Sequence, residues 1–150
     1  MLRPLLAAAV VAFILIGSGC TDLTARMRRY TYPPNFTYIT EEQLRSTMWR
    51  LAEQIRWLDA VLRDDSRVEP DRQQTVLDLL DEIDAMASEI DGSGVGTNHP
   101  LLDAHLPRFR DDLALARSAA ASDPPYYALA GEVAGACVYC HESRAGGVTR

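Results

Sequence analysis

TEEQLRSTMWRLAEQIRWLDAVLR, residues 40–63, decides the fold class. Thr40 followed by Glu41, Glu42 and Gln43 fits a capping box. In that motif the N-cap hydroxyl accepts from the third helical amide and the glutamine side chain reaches back to the cap. Leu44, Met48, Leu51, Ile55, Leu58 and Leu62 then recur at spacings of 4, 3, 4, 3 and 4. This spacing puts one apolar seam on one face of a helix. The helix is about 23 residues and roughly 35 Å long. A single amphipathic helix cannot bury its own seam, so partners must follow in the chain.

Three more helical segments follow. Pro70 suits the first turn of a second helix. Its seam is Val76, Leu79 or Leu80, Ile83, Met86 or Ala87, and Ile90, with Gly92 as its stop. Gly92–Asn98 holds three glycines and reads as a loop. A third segment runs from about Pro100 to Ala121, with Leu102, Leu106, Phe109, Leu113, Ala116 and Ala120 on its seam. Pro107 inside it predicts a kink or a restart. Asp123 caps a fourth helix with Pro124 at its first position. That helix carries Tyr127, Ala130, Val133, Ala134, Cys137, Cys140 and His141. No alternating strand pattern of useful length occurs. The prediction is an all-α fold, an up-down-up-down antiparallel four-helix bundle. The helices share no internal repeat, which argues against a solenoid.

At 150 residues, 47% of them apolar and 24% charged, the chain is one domain or a domain plus a tail. Its net charge of −6 argues against a basic nucleic-acid-binding domain. All 15 basic residues are arginine. The three cysteines are an odd number, so in an exported chain one is free, intermolecular or modified.

Residues 1–20 account for one cysteine. Arg3 gives a positive start, Leu5–Ile16 is apolar and uncharged, and Gly17, Ser18 and Gly19 lead into Cys20. These are the parts of a secretory signal. Its apolar run is short of the roughly 20 residues that span a bilayer. A cysteine directly after small residues resembles a bacterial lipobox, although Gly17 stands where leucine is usual. The resemblance implies cleavage before Cys20 and lipidation of that residue; a plain signal cut near Gly19 is the alternative. The expected organisation is a signal peptide over 1–19, a lipidated N-terminus and tether over 20–38, a helical domain over 39–145 and a tail over 146–150. The tether holds Pro33-Pro34-Asn35, a stretch that prevents a helix at those residues. Arg26, Arg28 and Arg29 lie near the anchor, where anionic head groups are within reach.

The chemistry sits near the C-terminus. Cys137-Val138-Tyr139-Cys140-His141 is C-x-x-C-H, the attachment pattern of c-type haem. On a helix, positions i, i+3 and i+4 share one face. Two thiols can then form thioethers to one porphyrin while the imidazole reaches its iron. A redox C-x-x-C normally accompanies a βαβ pattern, which is missing here. Structural zinc wants four ligands, and His99 or His105 would have to complete the set. Gly131 and Gly135, one turn apart, reduce bulk upstream of the motif, either to admit a macrocycle or to let helices pack closely.

A four-helix bundle with C-x-x-C-H in its closing helix resembles the class II cytochromes c, the cytochrome c′-like group. Pro125-Tyr126-Tyr127, Gly131, Val133 and the motif itself carry the resemblance, which spans about residues 40–145. It implies one covalent haem c held by Cys137 and Cys140, with His141 on the iron. It also implies a periplasmic setting, redox-protein partners and, in many members, a homodimer. Some members leave the sixth iron site open and bind small gases; others fill it with a methionine of the first helix and transfer electrons. The family commonly has an aromatic and then arginine three and four residues after the histidine. Here Ser143-Arg144 brings the arginine one residue early.

Met48 is the leading sixth-ligand candidate: it lies on the first seam, where Met-ligated members carry theirs, and its thioether is soft. His99, His105 and Met86 are the other candidates, and an open site is the remaining case. Arg45, one turn before Met48, suits a haem propionate or plain solvent. The expected function is a membrane-tethered periplasmic electron carrier; the alternative is a five-coordinate module binding nitric oxide or carbon monoxide. No nucleophile–base pair or phosphate loop marks an enzyme.

Overall fold

In the computed structural model Gln43 N donates to Thr40 Oγ1 at 3.1 Å, and Thr40 N donates to Gln43 Oε1 at 2.9 Å. The capping box thus opens α1 (Glu41–Arg63) as its residues require. Helices α2 (Asp71–Glu89), α3 (Pro100–Ala120), α4 (Ala128–Gly135) and α5 (Val138–His141) follow. The structure describes Met27 and residues 31–33, 35–92 and 94–141. The leader, Cys20, Arg26, Arg28, Arg29, Ser143, Arg144 and the 146–150 tail lie outside the described residues. Among the described residues the fold is all-α, with a single parallel bridge between Thr37 and Thr97. None of the described helices is long and apolar enough to cross a membrane.

The chain divides into two units, Met1–Phe36 and Thr37–Arg150. In the first, Tyr32 stacks on Phe36 with ring centroids 4.4 Å apart. The second holds the helices. Its core follows the seams: α1 buries Leu51, Ile55 and Leu58, and α3 buries Leu102, Leu106 and Leu113. Leu44, Met48, Leu62 and Phe109 pack half-buried along its edge. In α2 the ambiguous positions resolve to Leu80 and Ala87, with Leu79 and Met86 half-buried. Fully burying a leucine or isoleucine stabilises by about 1.5–3 kcal/mol, so these seams are the main force joining the helices.

Charged pairs set the neighbours. Arg50, near the middle of α1, grips Glu89 at the end of α2 through two bonds of 3.0 and 2.8 Å. At the other end of the same pair Arg72 Nη2 donates to the Leu62 carbonyl. Arg110 of α3 bonds Asp84 at 2.9 Å and Asp91 at 2.7 Å, and Arg117 meets Asp81. The guanidiniums hold Glu89 and Asp81 below the usual carboxylate range, chiefly through these hydrogen bonds. Further packing joins α3 to α4 and α1 to α4.

Two expectations are revised. Helix α3 is one element through exposed Pro107, so of the kink and the restart expected there the restart does not occur. The carbonyl that a residue 107 amide would have met belongs to exposed Asp103, on the solvent side. The fourth helix begins at Ala128, with Tyr127 as its N-cap, rather than at Pro124. Pro125 disfavours helical backbone at Pro124 before it. Tyr126 N instead donates to the Ala119 carbonyl at 3.0 Å, folding the segment onto the end of α3. The Tyr127 hydroxyl donates to Glu69 at 2.7 Å. Burial and that bond push its pKa up to about 12.

The α2–α3 loop rests on a close approach. A Cβ on buried Gly92 would lie 2.6 Å from the carbonyl carbon of Gly96, which has φ of +105°. Gly92 O accepts from Val95 N and Gly96 N, and Gly96 O accepts from Thr37 N. Gly92→Ala must displace backbone, so a loss of about 1–3 kcal/mol is expected. Thermal or denaturant unfolding checks it.

Candidate functional site

The motif falls where the closing helix breaks. Ala136 N donates to Val133 O, and Tyr139 N to Ala136 O, both three residues back. These bonds tighten Ala136-Cys137 into a turn between α4 and α5. Gly135, a weak helix former, immediately precedes it. The motif was expected on one continuous helix; instead Cys137 sits in the turn and Cys140 and His141 ride on the short α5. His141 N still donates to Cys137 O at 3.2 Å, an α-type bond that keeps the ends of the motif one turn apart.

Cys137, Cys140 and His141 line one cleft with Met48, Leu51, Ala52 and Ile55 of α1. Helix α3 closes the other side with Leu102, His105, Leu106 and Phe109. The lining is overwhelmingly apolar. Two sequence candidates for the iron, Met48 and His105, therefore share the cleft with the motif. His99 does not: its Nε2 lies 3.1 Å from the Ile39 carbonyl and 3.3 Å from Asn98 Nδ2. Met86 packs against the core away from the cleft. Arg45 does not line it either; its guanidinium is held by Glu41 one turn earlier.

Both motif cysteines are free thiols, Cys137 exposed and Cys140 half-buried. Burial, with a smaller contribution from the Cys137 thiol, raises the Cys140 pKa. Gly131 and Gly135 are exposed, and a Cβ on either would meet nothing within 4 Å. They neither line the cleft nor form a tight helix contact. Among the described residues no three His, Cys, Asp or Glu side chains gather to hold a bare metal ion.

The donor set suits a porphyrin better than a naked cation. Two thiols can anchor a macrocycle covalently, one imidazole can ligate its iron, and apolar walls match its faces. The cleft measures about 120 Å³. Pockets that enclose a ligand span roughly 300–1,000 Å³, so seating a macrocycle requires the side chains between α1, α3 and α5 to part. Cys137 and His141 lie on the exposed side, and α5 is only four residues long and packs chiefly on α3. Movement of that segment disturbs little of the core.

Sequence reasoning did not find Arg108. Its guanidinium carbon lies 4.1 Å from the centroid of the Tyr139 ring, inside the motif. No regular spacing links positions so far apart in the chain. No protein family matches the chain, and neither does any curated protein or solved structure.

Proposed function

We propose that this chain is a membrane-tethered c-type monohaem electron carrier built on an up-down-up-down antiparallel four-helix bundle. The observation that carries the reading is one apolar cleft shared by Cys137, Cys140, His141, Met48 and His105. The bundle reading draws on contacts that run in opposite order along neighbouring helices: Arg50 with Glu89 and Leu62 with Arg72 between α1 and α2, and Arg110 with Asp84 and Arg117 with Asp81 between α3 and α2. A haem bound there would supply a one-electron iron couple. Cys137 and Cys140 fix it by thioethers, and His141 holds the iron through a ring nitrogen. Met48 supplies a thioether from α1, a soft ligand that favours reduced iron and raises the potential. Leu51, Ile55 and Phe109 exclude water, which favours the less charged state. Arg45 would have to leave Glu41 to reach a propionate.

Absorption spectra of the purified holoprotein, oxidised and reduced, test this function. The expected result is a low-spin haem with a methionine-to-iron charge-transfer band when oxidised. A high-spin protein that takes carbon monoxide at once would point to the gas-binding module instead.

The same proposal makes Cys20 the lipidated N-terminus on the periplasmic face of a bacterial membrane. Wild-type protein is expected in the membrane fraction, and Cys20→Ala in the soluble fraction or stalled as precursor. One acyl chain gives only marginal binding, so stable retention reports the several chains of a mature lipoprotein. Fractionation followed by immunoblotting reads the outcome; a soluble wild type contradicts it.

A further inference from the structure

Helix α1 carries two seams. The inner one is buried among the helices. The outer one is Trp49, Glu53, Arg56 and Ala60, again at spacings of 4, 3 and 4. At about 100° per residue these four fall within about 60° of arc, opposite Leu51, Ile55 and Leu58. All four are exposed, Trp49 at 68%. Trp57, 58% exposed, stands at the edge of the same stripe. The charges on the stripe are unspent. Arg45, Arg50 and Arg63 of the same helix each meet a carboxylate. Among the described residues Arg56 meets none, its Nε donating to the Ala52 carbonyl, and Glu53 meets no cation.

We infer that this stripe docks a second copy of the chain, with the two α1 helices antiparallel across a two-fold axis level with the Gln54–Ile55 peptide. In that register Trp49 meets Ala60 of the partner subunit and Glu53 meets Arg56 of the partner subunit, each twice by symmetry. A 4-3 spacing is the geometry in which the side chains of two helices interdigitate. The small alanine leaves room for the indole, and charged groups in such a seam set its register. Parallel pairing would instead place Glu53 on Glu53 and Arg56 on Arg56, so like charges disfavour it. A single exposed tryptophan is ordinary on a surface. Here it lies in register with an alanine and with two opposite charges that lack partners, which makes the stripe self-complementary. Tryptophan also supplies the large apolar area typical of interface anchors. Neither haem nor lipid enters this pairing.

The test is sedimentation equilibrium of the full-length holoprotein in density-matched detergent over a range of concentrations. Wild type is expected as a concentration-dependent dimer. Glu53→Arg and Arg56→Glu, each of which puts like charges face to face, are expected to lose the dimer, as is Trp49→Ala. An equimolar mixture of Glu53→Arg with Arg56→Glu should regain it, because each copy then supplies the charge that the other needs. The same holds for the double variant that carries both changes. These rescues separate a lost interface from a misfolded chain. A wild type that stays monomeric overturns the inference, as does a dimer indifferent to all three substitutions, which would use another face. Failure of the mixture and the double variant to dimerise overturns the antiparallel register. A monomer whose tryptophan emission shifts to the blue on phosphatidylcholine vesicles assigns the stripe to lipid instead.

Discussion

Replacing Cys137 and Cys140 together by serine is expected to abolish covalently bound haem. A thioether needs sulfur, and a serine hydroxyl does not add to a porphyrin vinyl group. Haem staining after denaturing electrophoresis should fall from full signal to none. Each single variant should retain one thioether and a shifted reduced spectrum. The fold should survive. Cys137 is exposed and Cys140 only half-buried, and neither belongs to the core of Leu58, Leu80 and Ile83. Far-UV circular dichroism should therefore show helices in the double variant. Helix loss together with haem loss would instead make the motif structural.

Met48→Ala carries the second large effect. Met48 is half-buried on α1 and shares its cleft with His141. If its sulfur occupies the sixth iron position, removal opens that position. The oxidised protein should change from low-spin to high-spin, lose its charge-transfer band, and bind carbon monoxide readily once reduced. The potential should fall, because thioether ligation favours reduced iron. A wild type that is already high-spin makes Met48 plain packing and favours gas binding. An unchanged low-spin spectrum in the variant directs attention to His105, which lines the same cleft.

Helices α1 to α3 were legible because their information is local and periodic. The Thr40–Gln43 box fixed a start, and the α3 seam held every buried residue of that helix, whereas the α1 seam held Leu51, Ile55 and Leu58 but missed buried Thr47 and Val61. The choice between Leu79 and Leu80 was not legible. Both fit the period, and only packing against neighbouring helices decides which is buried. The closing helix was misjudged at its start because Asp123-Pro124 satisfies a capping pattern while Pro125 defeats it. Its interruption at Ala136-Cys137 is equally local, but small residues on either side carry little periodic signal.

The site divides the same way. The spacing of Cys137, Cys140 and His141 is a linear signature, and Met48 stood out on a seam. Their convergence depends on how α1, α3 and α5 meet, which no single segment encodes. The stack of Arg108 on Tyr139 is a contact between an exposed cation and a motif aromatic, and neither residue type is distinctive alone. Arg45, conspicuous by its place before Met48, is engaged by Glu41, a partner that its i,i+4 spacing already offered.

Mass analysis of the proteolytic fragment spanning Cys137–His141 tests the central claim most directly. The protein should come from cells competent in cytochrome c maturation. The account predicts one haem-sized mass increment on the fragment containing both cysteines, with neither thiol available to alkylation. A haem-free fragment carrying a Cys137–Cys140 disulfide or two alkylatable thiols would contradict it.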